Sequence, residues 1–115
     1  ELPRVDIALA YAGADGLVID ALVEAGVPGS VAAGLGSGGS PPAFTAALQE
    51  AQSRGVVVVI ATQVGSGRVT LTRRFREQGY VVADDLAPNK ARILTMLALS
   101  QTTDTAEIQR MMLEY

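Results

Sequence analysis

Residues 55–62 read GVVVVIAT. From Val56 to Ala61 the run is β-branched or small, apolar, and free of polar alternation. A strand with one wet face alternates apolar and polar residues. An unbroken run is the pattern of a strand buried on both faces, as in a parallel sheet covered by helices on each side. Working outward in both directions supports that sheet. On the amino-terminal side, Phe44, Ala47, Leu48 and Ala51 follow the i, i+3, i+4, i+7 spacing of an amphipathic helix. Pro41 and Pro42 suit its start, and Gly55 ends it. Before it, Ser30–Leu35 (SVAAGL) reads as a strand, Leu17–Ala25 (LVIDALVEA) as a helix with Gly26 as its C-cap signal, and Val5–Ala12 (VDIALAYA) as a strand ended by Gly13 and Asp15. Asp20 and Glu24 sit four apart and read as a solvated helix face rather than an acid/base pair.

On the carboxyl-terminal side, residues 65–79 are polar and carry four arginines, Arg68, Arg73, Arg74 and Arg76, around Phe75. With Glu77 beside them they read as a solvated or interface segment. Tyr80–Ala83 is a short strand candidate. Pro88 opens a helix that runs to about Ser100. Asp104 and Glu107 have capping-box spacing, and Ile108, Met111, Met112 and Tyr115 form one apolar stripe on a last helix. The resulting order, β-α-β-α-β-loop-β-α-α, predicts a parallel sheet between helical layers. No repeat, linker or low-complexity segment interrupts it, so residues 1–115 read as a single domain.

Composition narrows the chemistry. The chain has 115 residues, enough to bury roughly two-thirds of its unfolded surface. With 49% hydrophobic and 4% aromatic residues, it fits a closely packed α/β core better than an aromatic nucleic-acid platform. A net charge of −3 gives no long-range attraction to nucleic acid or to anionic membranes. There is no His and no Cys, which excludes Ser-His-Asp triads, cysteine nucleophiles and Cys/His zinc sites. No apolar run approaches the roughly 18 residues of a membrane span, and no signal peptide is seen. The chain opens on Glu1 rather than Met, which reads as a processed protein or a piece of a longer one.

The glycine-rich stretch AGLGSGGSPPAF, residues 33–44, has the literal form G-x-G-x-x-G through Gly34, Gly36 and Gly39. A dinucleotide fingerprint also needs to follow the first strand and to find an acid at the end of the next one. Here the next strand ends in Ala61, Thr62, Gln63 and Val64, and Pro41 and Pro42 remove two backbone donors near the helix start. A Walker loop is excluded, because no Gly-Lys-Ser/Thr follows. The open readings are a strand-to-helix turn at the carboxyl end of a sheet and, as the alternative, a free-standing α/β module binding a nucleotide or other small molecule.

Five stretches in order carry a resemblance: YAGADGLVIDALVEAG, VAAGLGSGGSPPAF, GVVVVIATQVGSGRV, GYVVADDLAPNKARILTMLALSQT and EIQRMMLEY. Together they resemble the carboxyl-terminal domain of bacterial type II L-asparaginases and glutaminase-asparaginases, over nearly the whole chain. The most specific piece is LAPNKARIL followed by ALSQT, and Ala33–Gly39 matches the family's A-G-x-G-x-G-x signature. The resemblance implies a small flavodoxin-like three-layer α/β domain, with a short parallel sheet of about four strands and helices on both faces. It implies a piece of a two-domain amidohydrolase that cleaves the side-chain amide of asparagine or glutamine through an acyl-enzyme and releases ammonia. In the family the threonine nucleophile lies in a T-G-G-T-I stretch of the amino-terminal domain, and no such stretch occurs here.

The same resemblance implies no metal or organic cofactor, and the charge balance already argues for no nucleic acid and no membrane partner. The resemblance implies three partners: the protein's own amino-terminal domain, neighbouring subunits in a homo-oligomer, and a small amino-acid substrate. The compartment stays open between the bacterial periplasm and the cytoplasm. The glycine loop resembles the segment that family members extend toward a neighbouring subunit's substrate. The last position of its signature, usually Asn or Ser, is Gly39 here. Glycine has no side-chain acceptor, so Ser37 or Ser40 takes that role in this expectation. The family's ammonium-binding Glu, from the segment after the third strand, has Glu77 as its one acidic counterpart.

Overall fold

The structure is a computed structural model, and it describes residues 2–10, 15–34, 41–62, 77–84 and 86–114. Its elements follow the expected order. They are β1 (Val5–Leu9), α1 (Leu17–Glu24), β2 (Gly29–Gly34), α2 (Pro42–Ser53), β3 (Val57–Thr62), β4 (Val81–Val82), α3 (Pro88–Leu99) and α4 (Thr105–Glu114). The four strands form one sheet in the order β1-β2-β3-β4, and every neighbouring pair is parallel.

The doubly buried reading of β3 is visible residue by residue. Val58 and Ile60 join a core with Ala8, Ile19, Ala32, Phe44 and Leu48, beneath α1 and α2. Val57, Val59 and Ala61 join the opposite core with Val5, Val31, Ala91, Ala98, Ile108 and Met112, beneath α3 and α4. Side chains alternate faces along a strand, so an unbroken apolar run is what two apolar layers require. Full burial of each valine or isoleucine side chain of β3 contributes about 1.5–3 kcal/mol. β3 is therefore the element on which both halves of the core depend.

The turns at the amino edge of the sheet are tight. Gly26 and Gly55 follow α1 and α2 with φ of 78° and 90°. After α1, Gly26 N–H donates to Val23 C=O and Val27 N–H to Leu22 C=O. After α2, Gly55 N–H donates to Gln52 C=O and Val56 N–H to Ala51 C=O. Each is a Schellman ending, and the left-handed residue it requires is the glycine the sequence supplies. The predicted starts also hold. Pro42 stands in the first turn of α2, whose buried residues are Phe44, Ala47, Leu48 and Ala51, and Pro88 stands in the first turn of α3.

One local expectation changes. The capping box before α4 is half formed. Asp104 Oδ1 accepts from Ala106 N–H at 3.0 Å, as an N-cap does. The return bond goes elsewhere, because Asp104 N–H donates to Thr102 Oγ1 at 3.0 Å while Glu107 pairs with Arg110. A nearby cation competes for that carboxylate better than a neutral amide does. The apolar stripe on α4 packs inward: Ile108 and Met112 are in the core beneath the sheet and Met111 packs partly against it. Tyr115 lies outside the described residues.

Candidate functional site at the carboxyl edge of the sheet

Because all four strands are parallel, their carboxyl ends lie along one edge. There the chain leaves β1 at Leu9, β2 at Gly34, β3 at Thr62 and β4 at Val82. The decisive geometry is in the central pair. The last register partners of β2 and β3 are Gly34 and Thr62. The glycine segment 35–40 and the arginine-bearing segment 63–76 therefore start from directly paired residues, one strand spacing apart. Such a spacing is about 4.8 Å. The sheet thus brings together the two points, Gly34 and Thr62, from which segments 35–40 and 63–76 depart.

The individual candidates are placed as follows. Ser37, Gly39 and Ser40 lie outside the described residues, as do Arg68, Arg73, Arg74, Phe75 and Arg76. Glu77 is described and exposed, just before Tyr80 and β4. Beneath the edge, Ala33, Gly34, Ala61 and Thr62 are all buried, so the two segments depart from a buried floor. A residue the sequence reading missed stands at the end of β4. Asp84 has φ of 58°, a left-handed backbone. Asn and Asp tolerate that region better than other side chains do, but nothing in the periodicity of VVADD marks it.

The strand order bears on the nucleotide alternative. Dinucleotide sites in open α/β sheets use the crevice where the strand order reverses. Among the described residues the order runs β1-β2-β3-β4 without reversal. The glycine segment follows β2, and the paired end of β3 is Thr62, not an acid.

A concavity lies elsewhere. A groove of about 580 Å³ runs between α3 and α4, with Leu86, Ile93, Leu94, Leu97 and Met111 in its lining and Lys90, Arg110 and Glu114 at its rim. Arg110 there is held by both Glu114 oxygens at 2.9 Å and by Glu107. That groove lies on the outer helical surface rather than between the strand ends, and it gathers no nucleophile beside a base. Among the described residues, no group of three or more acidic side chains is arranged to hold a metal ion.

With this geometry in place, comparison with known proteins is specific. The family described as Glutaminase/Asparaginase C-terminal domain matches residues 4–112. The chain belongs to that family. It is 40% identical over 115 residues to an L-asparaginase 2 of Bacillus subtilis (strain 168), covering 100% of this chain and 31% of that protein. It is 40% identical over 119 residues to a glutaminase-asparaginase of Pseudomonas fluorescens biotype A, covering 99% of this chain and 32% of that protein. Among solved structures, it matches a probable cytoplasmic L-asparaginase from Campylobacter jejuni. There the TM-score is 0.95 and the identity 38%, covering 100% of this chain and 38% of that one. The chain therefore spans about a third of the length of these relatives, which are themselves asparaginases and glutaminase-asparaginases. It is the carboxyl-terminal domain of that family, and the α/β architecture expected from the resemblance is the one observed.

Proposed function

We propose that this domain serves a two-domain amidohydrolase that cleaves the side-chain amide of asparagine or glutamine, and that its carboxyl edge supplies substrate contacts rather than the nucleophile. The observation that carries the reading is the Gly34–Thr62 pairing, which brings the starts of segments 35–40 and 63–77 together on a buried floor. Family membership supplies the reaction class. In this reading Ser37 or Ser40 hydrogen-bonds the charged main-chain groups of the amino acid in place of Gly39, and Glu77 faces its ammonium. Two features fit such a role: hydroxyls on a glycine-rich segment, and an exposed carboxylate. Neither an activated nucleophile nor a general base is among these groups. The acyl-enzyme step therefore belongs to residues outside this chain, and the site is completed by the amino-terminal domain and a neighbouring subunit of a homo-oligomer.

The test uses the full-length polypeptide with asparagine and glutamine as substrates. Ser40→Ala should raise KM and leave kcat nearly unchanged. One hydrogen bond to a charged group contributes about 1.5–3 kcal/mol, roughly a 10- to 150-fold loss in kcat/KM. An unchanged kcat/KM assigns Ser40 to the turn and moves the test to Ser37. The isolated 115-residue chain should release no ammonia from either amide, and release above background would overturn the proposal.

A further inference from the structure

β4 is the outermost strand of the sheet among the described residues, and an outer strand leaves backbone donors and acceptors facing away from its neighbour. Ala83 N–H donates to Ile60 C=O across the β3–β4 ladder at 2.8 Å. In a parallel strand the N–H and C=O of one residue point to one side and those of the next to the other. Val82 therefore directs both of its groups outward. Both are taken by one side chain from the last helix. Val82 N–H donates to Gln109 Oε1 at 2.7 Å, and Gln109 Nε2 donates to Val82 C=O at 3.0 Å. Gln109 is buried, an uncommon place for a glutamine.

We propose that Gln109 is a strand surrogate. Its carboxamide presents the one acceptor and one donor that the peptide groups of a fifth strand would offer at Val82, so the chain closes this edge of its own sheet and a second copy cannot add a strand there. A carboxamide is suited to this because it carries the same C=O and N–H pair as a peptide group. The opposite edge is guarded differently. Arg92 on α3 donates from Nε to Val5 C=O at 2.6 Å, and an Arg4–Asp6 ion pair at 2.9 Å charges the start of β1. Charged edge residues are a common defence against edge-to-edge pairing. At β4 the defence is a neutral amide, which a buried position tolerates because both of its polar atoms are satisfied.

The experiment is residue-resolved hydrogen exchange on the full-length polypeptide and its Gln109→Met variant, which keeps the side chain's length without its polar atoms. In the wild type, the Val82 amide should exchange as slowly as the Ala83 amide. In the variant, Val82 should exchange roughly 2- to 13-fold faster, as expected for a lost bond to a neutral group, while Ala83 stays protected by Ile60. Light scattering should then find larger assemblies for the variant than for the wild type at equal concentration. A fast Val82 amide in the wild type overturns the proposal whatever the variant does. It is also overturned if the variant leaves Val82 exchange unchanged, or if it releases Val82 without enlarging the assembly. Should Gln109→Met not fold, Gln109→Glu keeps the acceptor. Val82 N–H should then stay protected, and its loss of protection in a folded Gln109→Glu protein overturns the proposal too.

Discussion

Asp84 shows what a single residue contributes where β4 meets the carboxyl edge. Its φ of 58° costs an L-residue about 1–2 kcal/mol, less for Asp than for a β-branched side chain. Asp84→Val should therefore lower the unfolding free energy by at least about 1 kcal/mol, and urea unfolding at neutral pH measures it. A loss below that would mean the backbone relaxes out of the left-handed region. Glu107 gives the pH-dependent counterpart. The Arg110 guanidinium that hydrogen-bonds it holds its carboxyl below the ordinary value of 4.5. A depressed folded value means that this stabilisation is fully present above pH 4.5 and is lost as pH falls through the lowered folded value. Both groups are well exposed, so the effect is small. Glu107→Gln should be slightly less stable than the wild type at pH 7 and equal to it in strong acid. Unfolding curves that differ as much in acid as at pH 7 would assign the difference to something other than the ion pair.

Between elements, the sharpest constraint is where α1 meets α2. A Cβ on Gly16, the residue before α1, would lie 2.6 Å from Ala47 Cβ. Ala47 has no rotamer to change, so relief requires the helices to move apart. Gly16→Ala should cost about 1–3 kcal/mol, the usual range for an overpacked contact. Gly29, the first residue of β2, makes a useful contrast. A Cβ there would lie 2.7 Å from Leu99 Cδ1, the far end of a side chain that can rotate, and no closer than 3.4 Å to Val5 and Val57 atoms. Gly29→Ala should therefore be the milder substitution of the two, and thermal unfolding of both variants ranks them. The reverse order would mean that α1 moves more freely on α2 than α3 does on the sheet. The pattern i, i+3, i+4, i+7 identified the inner face of α2 directly. It could not identify Gly16 as a packing residue, because a glycine beside a helix start reads first as a turn.

At the scale of the whole molecule, α3 is apolar on two sides. Ala91, Thr95 and Ala98 are buried against the sheet, with Thr95 Oγ1 donating to Ala91 C=O at 2.7 Å. On the outer side Ile93 and Leu97 are 54% and 47% exposed along the α3–α4 groove. A helix with apolar residues beyond its core-facing stripe carries exposed surface that promotes association. Because that surface is not core, replacing both residues with Gln should change unfolding free energy by less than about 0.5 kcal/mol per site. It should also raise the precipitant concentration at which the isolated chain comes out of solution. A large stability loss would show that the outer side of α3 packs more tightly than its exposure suggests.

The sequence by itself determined the element order, the parallel sheet and the two helix-ending glycines, because each is written in local chemistry. A β-branched run cannot sit half in water, a proline fits a first helical turn, and Gly26 and Gly55 take the left-handed backbone at no steric cost. It also carried the family resemblance, through LAPNKARIL and the A-G-x-G-x-G-x stretch. Three features were decided only by tertiary structure. The inward turn of the α4 stripe depends on which side of the sheet α4 covers. The partner of Glu107 depends on a contest between an amide and a guanidinium. The neighbouring departure points of segments 35–40 and 63–76 depend on the register that pairs Gly34 with Thr62. Gln109 belongs with these, since its place beside the Ile108 stripe reads as an ordinary polar helix position. Only the folded sheet creates the outward-facing Val82 peptide groups that its side chain meets, and a hydrogen bond between residues 27 positions apart has no local pattern to announce it.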